Sequence, residues 1–134
     1  MAIGLSNSDG GKVYVYEYVS NSWSQLGETL PATNSSGDQF GHSVSLSSDG
    51  TTVACGTNGG NYTKIYSYIS GVWTQLGSDI DGENSGDKSG RSVSLSSNGN
   101  IVAIGADFND ENGTDSGHTR IFKYINNFLF VSFI

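Results

Sequence analysis

Basic residues are scarce in this sequence. Six Lys and Arg stand against thirteen Asp and Glu in 134 residues, a net charge of −7, and a surface of that sign repels phosphate backbones and anionic lipid headgroups. No nucleic-acid partner and no lipid-surface role is expected. Charged residues make up only 14% of the chain and hydrophobic residues 35%, proportions that do not suit a coiled coil. The single cysteine, Cys55, cannot form an internal disulfide, so nothing points to an oxidised framework, and secretion stays open on that count. Met1-Ala2-Ile3-Gly4 shows no basic segment leading into an apolar core, so no signal peptide is visible. The longest apolar run, residues 128–134, is far short of the roughly 20 residues of a spanning helix. The chain reads as soluble, with no membrane insertion.

What fills the space is glycine, 19 residues, together with Ser, Thr and Asn, the composition of many short strands joined by tight turns. The chain also repeats itself. Trp23-Ser24-Gln25-Leu26-Gly27 returns as Trp73-Thr74-Gln75-Leu76-Gly77, an offset of 50, and Ser43-Val44-Ser45-Leu46-Ser47-Ser48 returns as Ser92-Val93-Ser94-Leu95-Ser96-Ser97, an offset of 49. Tyr16 and Tyr18 match Tyr66 and Tyr68, then Phe122 and Tyr124 beyond an insertion. A period near 50 residues marks a solenoid, propeller or array.

Four strands are expected in each copy. The first covers residues 43–47, where Val44 and Leu46 alternate with serines in a half-buried pattern. Asp49-Gly50 and Asn98-Gly99 then predict a two-residue hairpin turn. The second strand, 52–56 or 101–105, is small and branched enough for burial on both faces. The third covers 13–18, 64–68 and 120–124, and the fourth runs from Trp to Gly of the Trp-x-Gln-Leu-Gly segment. Four antiparallel strands per repeat is the recipe of a β-propeller blade. The expected fold is therefore all-β, with a partial blade over 1–37 (strands two to four), a complete blade over 38–86, and a third over 87–134 carrying the insertion 107–117 and an atypical last strand.

Phe40-Gly41-His42-Ser43-Val44 leading to Val53-Ala54-Cys55-Gly56-Thr57, and Ser89-Gly90-Arg91-Ser92-Val93 leading to Val102-Ala103-Ile104-Gly105-Ala106, resemble FG-GAP repeats, the blades of integrin-α-type propellers and of many microbial surface proteins. The resemblance covers nearly all of residues 1–127. It implies a non-catalytic binding or adhesion module, extracellular or at the cell surface, that presents loops to a protein or glycan partner. The sequence departs from the pattern at Ser89, which stands for the Phe, and in having no Pro after Gly56-Thr57 or Gly105-Ala106. The Asp-rich calcium loop between the motif halves is reduced to Asp49-Gly50 or Asn98-Gly99. A WD-repeat scaffold is the nearest alternative, through Gly41-His42 and Ser48-Asp49-Gly50, but WD repeats close the third strand with Trp-Asp. Here that strand ends in Tyr18, Tyr68 and Tyr124.

Candidate sites are few. In the insertion Asp107, Asn109, Asp110, Asn112 and Asp115 bring oxygen donors around a glycine, as calcium loops do, although the alternating pattern would require an acid at Phe108. Gly37-Asp38 and Gly86-Asp87 recur before successive blades, where each Asp is expected to satisfy backbone N–H groups. Trp23, Trp73 and the paired tyrosines suit either a sugar-stacking surface or, more simply, packing between blades. Asn34, Asn61 and Asn112 begin Asn-x-Ser/Thr sequons, acceptable to a glycan in loops. His42 and His118, the two histidines, hold inequivalent places in the repeat, no serine sits in a nucleophile elbow, and Cys55 reads as an inert buried thiol. No enzyme is expected. The rivals to a binding module are a spacer within a larger repeat protein and a propeller-fold hydrolase or lyase with its catalytic residues in other blades. The first copy starts at its second strand, so the ring is expected to be incomplete, completed by a homo-oligomer or by further repeats.

Overall fold

The computed structural model describes residues 1–7, 9–33, 35–125 and the backbone of 128–132. Every regular element among them is a strand, in three antiparallel sheets that follow the repeat. The first holds β1 (Ala2–Leu5), β2 (Lys12–Val19), β3 (Ser22–Gln25) and β4 (Leu30–Pro31). The second holds β5 (Ser43–Leu46), β6 (Thr52–Gly56), β7 (Tyr62–Ile69), β8 (Val72–Gln75) and β9 (Ile80–Asp81). In the third, β10 (Ser92–Leu95), β11 (Ile101–Ala106), β12 (His118–Ile125) and β13 (Phe128–Ser132) pair in chain order. Residues 133–134 of the apolar tail lie outside the described residues; 128–132 pair with β12 as a fourth strand, Phe122 opposite Val131.

Three details differ from the sequence reading. The turn after β5 is not a two-residue hairpin. Ser47 N–H donates to the Thr52 carbonyl at 2.9 Å and the Ser47 hydroxyl accepts the Thr52 N–H, which leaves a loop of residues 48–51 in which Gly50 alone has positive φ. Asp49 closes that loop from within, accepting the Ser47 hydroxyl at 2.7 Å and the Thr51 N–H at 3.0 Å. Two-residue turns with positive φ at both positions, the hairpin type I′, occur instead between the third and fourth strands, at Ser20-Asn21 and Ser70-Gly71. The fourth strand is also interrupted: β3 and β8 stop at Gln25 and Gln75, and two-residue pieces, β4 and β9, resume pairing along the same neighbours β2 and β7. Finally, β6 is buried on both faces, but β11 is buried on one only.

The apolar core lies between sheets. Val13, Val15 and Leu30 of the first sheet pack on Val53, Cys55, Tyr66 and Trp73 of the second. Ala54, Ile65 and Ile80 of the second pack on Val102, Ile104 and Phe122 of the third. Trp73 is 5% exposed and its indole N–H donates to the Leu26 carbonyl of the first sheet at 2.8 Å, so aromatic packing between sheets holds for this residue. Burying it is worth roughly 1.5–3 kcal/mol. Its repeat counterpart Trp23 is 53% exposed beside Tyr18.

Glycine sets how near neighbouring sheets come. A Cβ on Gly4 would overlap the Gly41 carbonyl oxygen, and one on Gly56 would overlap that of Gly90. In each pair the motif glycine of one sheet lies against the turn glycine that opens the next. Around the second pair the Ser43 hydroxyl donates to the Gly90 carbonyl at 2.7 Å, the Ser45 hydroxyl accepts the Leu95 N–H at 2.9 Å, and Ser48 N–H donates to the Ser97 carbonyl at 2.9 Å. The serine-rich strand is thus a fastening between sheets.

Gly56→Ala should cost about 3 kcal/mol, because backbone cannot yield to the new methyl group. Gly105→Ala should cost far less, since its near neighbour is the rotatable Ser92 hydroxyl; urea unfolding of the two variants checks the contrast. Hydrogen bonds, that from Ser47 first, hold the Asp49 carboxyl below its ordinary value of 3.8. A depressed folded-state pKa gives stability that is present above 3.8 and is lost as pH falls through the lower folded value. Thermal unfolding of Asp49→Asn should therefore depend less on pH in that acid window than unfolding of the parent.

Candidate functional site

Repetition breaks at one end of the third sheet. The loop between β6 and β7 takes five residues, whereas that between β11 and β12 takes eleven, 107–117. Both loops are anchored in the same way: the Asp38 carbonyl accepts the Gly59 and Gly60 N–H groups at 3.1 Å, and the Asp87 carbonyl accepts the Phe108 N–H at 3.2 Å. The longer loop then needs support of its own. Asn109 supplies it from a buried position. Its amide donates to Asp87 Oδ2 at 2.8 Å, its side-chain oxygen accepts the Glu111 N–H at 3.0 Å, and its carbonyl accepts the Gly117 N–H at 3.1 Å. Asp87, 4% exposed, also accepts the Asn84 N–H at 3.1 Å, as expected of an acid at the start of a blade. Asp38 differs, for its carboxylate takes the Tyr62 hydroxyl at 3.0 Å.

The other polar groups of the insertion point outward. Asp107 pairs with Arg91 at 2.7 Å, and both flank Phe108, over whose ring Lys88 Nζ sits 3.9 Å from the centroid. Asp110 accepts the Asp115 N–H at 2.7 Å and closes the loop tip, where Asn112 is exposed. Of the five donors expected to hold calcium, then, Asp107 faces Arg91, Asn109 faces Asp87, Asp110 and Asp115 are joined in the tip, and Asn112 is exposed. A different group converges. His118 Nδ1 lies 3.0 Å from Glu83 and 3.6 Å from Glu111, and one ligand atom of each lies within 4.8 Å of the others, the one such group of His, Cys, Asp and Glu among the described residues. His118 occupies the place of Tyr62 in the repeat, but the acids it meets are Glu83 and Glu111 and not Asp87, the counterpart of the Asp38 that takes the Tyr62 hydroxyl.

Beside these side chains is a cleft of about 660 Å³ lined by His42, Arg91, Ser92, Gly105, Asp107 and His118. Both signs of charge and several hydroxyl and backbone groups meet there, which suits polar recognition. Cys55 is fully buried on the opposite logic, and burial pushes its thiol pKa well up. Among the sequons, Asn34 lies outside the described residues. Asn61 donates from Nδ2 to the Asn84 carbonyl at 2.9 Å and accepts the Ser89 N–H at 2.9 Å, so a glycan on that nitrogen would compete with a bond that ties the second sheet to the third. Asn112 is open.

Residues 79–122 match the family model of the FG-GAP repeat. Over that segment the chain is similar to an FG-GAP repeat. The match takes in β9 to β11, most of β12 and the whole insertion, so the Glu83–Glu111–His118 group and the lining of the cleft other than His42 lie within the matched segment. No curated protein matches the chain.

Asp87→Ala should release the insertion: a buried charge-assisted bond is worth about 1.5–3 kcal/mol, and Asn109 loses its acceptor. Hydrogen exchange should rise across residues 107–117 and stay unchanged in β6 and β7. Equal rises in both would show that Asp87 supports the whole fold and not this loop.

Proposed function

We propose that this chain is a non-catalytic, extracellular FG-GAP-type binding or adhesion module that presents the 107–117 end of its third sheet to a protein or glycan partner. The observation that carries the reading is the insertion. Its repeat counterpart needs five residues, yet here eleven are held by a buried Asn109–Asp87 pair beside an open polar cleft, an arrangement a spacer has no use for. The non-catalytic part is supported by the repeat family and by a cysteine buried beyond reach.

Replacing residues 107–117 with the Thr57-Asn58-Gly59-Gly60-Asn61 loop separates binding from spacing. A glycan array and a pull-down from the source should show ligands for the parent that the shortened variant loses by at least about tenfold. Retention of every ligand by the shortened variant would favour a role elsewhere. Neither form should bind DNA or anionic vesicles at physiological salt.

Calcium belongs to the same proposal, because Asp107, Asn109, Asp110, Asn112 and Asp115 each carry a side-chain oxygen of the kind the ion takes. The ion would have to draw Asp110 away from the Asp115 N–H. If it binds, it stabilises by mass action, about 2.7 kcal/mol at a hundred times its Kd. Millimolar calcium should then raise the melting temperature of the parent and not that of an Asp110→Ala, Asp115→Ala variant, and absence of both heat and stabilisation removes the ion from the reading.

A further inference from the structure

We infer that Glu83, Glu111 and His118 form a site for a divalent transition-metal ion of the zinc class. The three donors come from the link between the second and third sheets, from the insertion, and from the first residue of β12. Every wall of the site is therefore internal to the repeat. His118 Nδ1 lies 3.0 Å from Glu83 Oε2 and 3.6 Å from Glu111 Oε2. Tetrahedral coordination with bonds of about 2.0–2.1 Å sets donors about 3.3 Å apart, and the two separations bracket that spacing. An imidazole nitrogen beside two carboxylates suits zinc and its neighbours in the series, whereas calcium takes oxygen donors.

One buried pair positions both carboxylates. Asp87 Oδ2 accepts the Asn84 N–H at 3.1 Å and the Asn109 amide at 2.8 Å, and Asn109 Oδ1 accepts the Glu111 N–H at 3.0 Å. The backbone of Glu111 and that next to Glu83 are thus fixed through the same Asp87 oxygen. On the other side of Glu83, Gly82 N–H donates to the Asn61 carbonyl at 2.8 Å. His118 is held by pairing with Ala106 and follows Gly117, whose N–H reaches the Asn109 carbonyl. Side-chain exposure rises from 18% at His118 through 35% at Glu83 to 62% at Glu111, so the nitrogen is sheltered while the outermost carboxylate is free to adjust to an ion.

The two acids are not neutralised by what surrounds them. Nδ1 holds one proton and donates it to one carboxylate, that of Glu83, whereas Glu111 at 3.6 Å is beyond hydrogen-bonding distance. Among the described residues neither glutamate pairs with any other cationic side chain. A dication in place of that proton offsets both carboxylates at once, and the proton passes to solvent. Three protein donors leave a fourth position for water. In the second sheet the same place holds Tyr62, whose hydroxyl bonds to Asp38, so the site is particular to the third copy.

Titration calorimetry of zinc into the full chain tests this, with cobalt(II) as a paramagnetic probe of the same site. Zinc should bind saturably, and cobalt should broaden the ring signals of His118 before those of His42. Glu111→Gln and His118→Ala should each weaken zinc by roughly tenfold or more. The first of these variants keeps its fold, because the Glu111 side chain is mostly exposed. His42→Ala and Asp115→Asn should leave zinc affinity unchanged, which separates this site from the other histidine and from calcium in the loop tip. Absence of saturable heat, an affinity that survives both Glu111→Gln and His118→Ala, or equal loss in His42→Ala or Asp115→Asn would each overturn the proposal.

Discussion

Two carbonyl-to-glycine approaches, Gly41 on Gly4 and Gly90 on Gly56, set the distance between sheets, and other contacts adjust to it. Backbone meeting backbone brings the sheets close enough for small residues such as Ala54 and Cys55 to fill the interior. It also brings β5 within hydrogen-bonding reach of β10, which is why serines can replace apolar side chains on β5. A sequence only 35% hydrophobic can hold three sheets together on these terms, because part of the cohesion comes from hydroxyl-to-backbone bonds, each worth about 1 kcal/mol.

The same economy explains the third sheet's end. A longer loop costs little in closure entropy, about 0.6 kcal/mol per doubling, but its backbone groups still need partners. Asn109 meets that need with donors and acceptors on one side chain, and Asp87, already placed by the repeat, takes its amide. The insertion therefore uses an acid whose counterpart Asp38 serves Tyr62 instead, and the repeat's strand pairing is kept beneath it.

Much of the fold is legible in the sequence because the repeat exposes it. Trp23 and Trp73, or Ser43 and Ser92, align without ambiguity, and alternation between them gives strands two and three directly. The hairpin positions are less legible. Asp49-Gly50 carries the dipeptide of a two-residue turn, yet Asp49 spends its carboxylate on Ser47 and Thr51, and that local bonding favours a longer loop. Ser20-Asn21 and Ser70-Gly71 make the tight turns with weaker signals, because eight-residue strands on their N-terminal side dictate the register. Glu83, Glu111 and His118 could not be read as a group from spacing, since they come from a link, a loop tip and a strand start that meet only through the fold.

Burial itself is not a property of the repeat position alone. Cys55 and Ile104 are buried while Ile3 is open, and Trp73 is covered by Leu26 while Trp23 has no such cover. Residue type is conserved across these pairs in hydrophobic character, so the sequence is suited at every copy to a neighbour on both sides. Alternating burial in β11, against continuous burial in β6, shows the same asymmetry at the other end. An apolar position in this repeat takes its burial from the neighbouring sheet, so exposed hydrophobic surface alone does not distinguish one copy's position from another's.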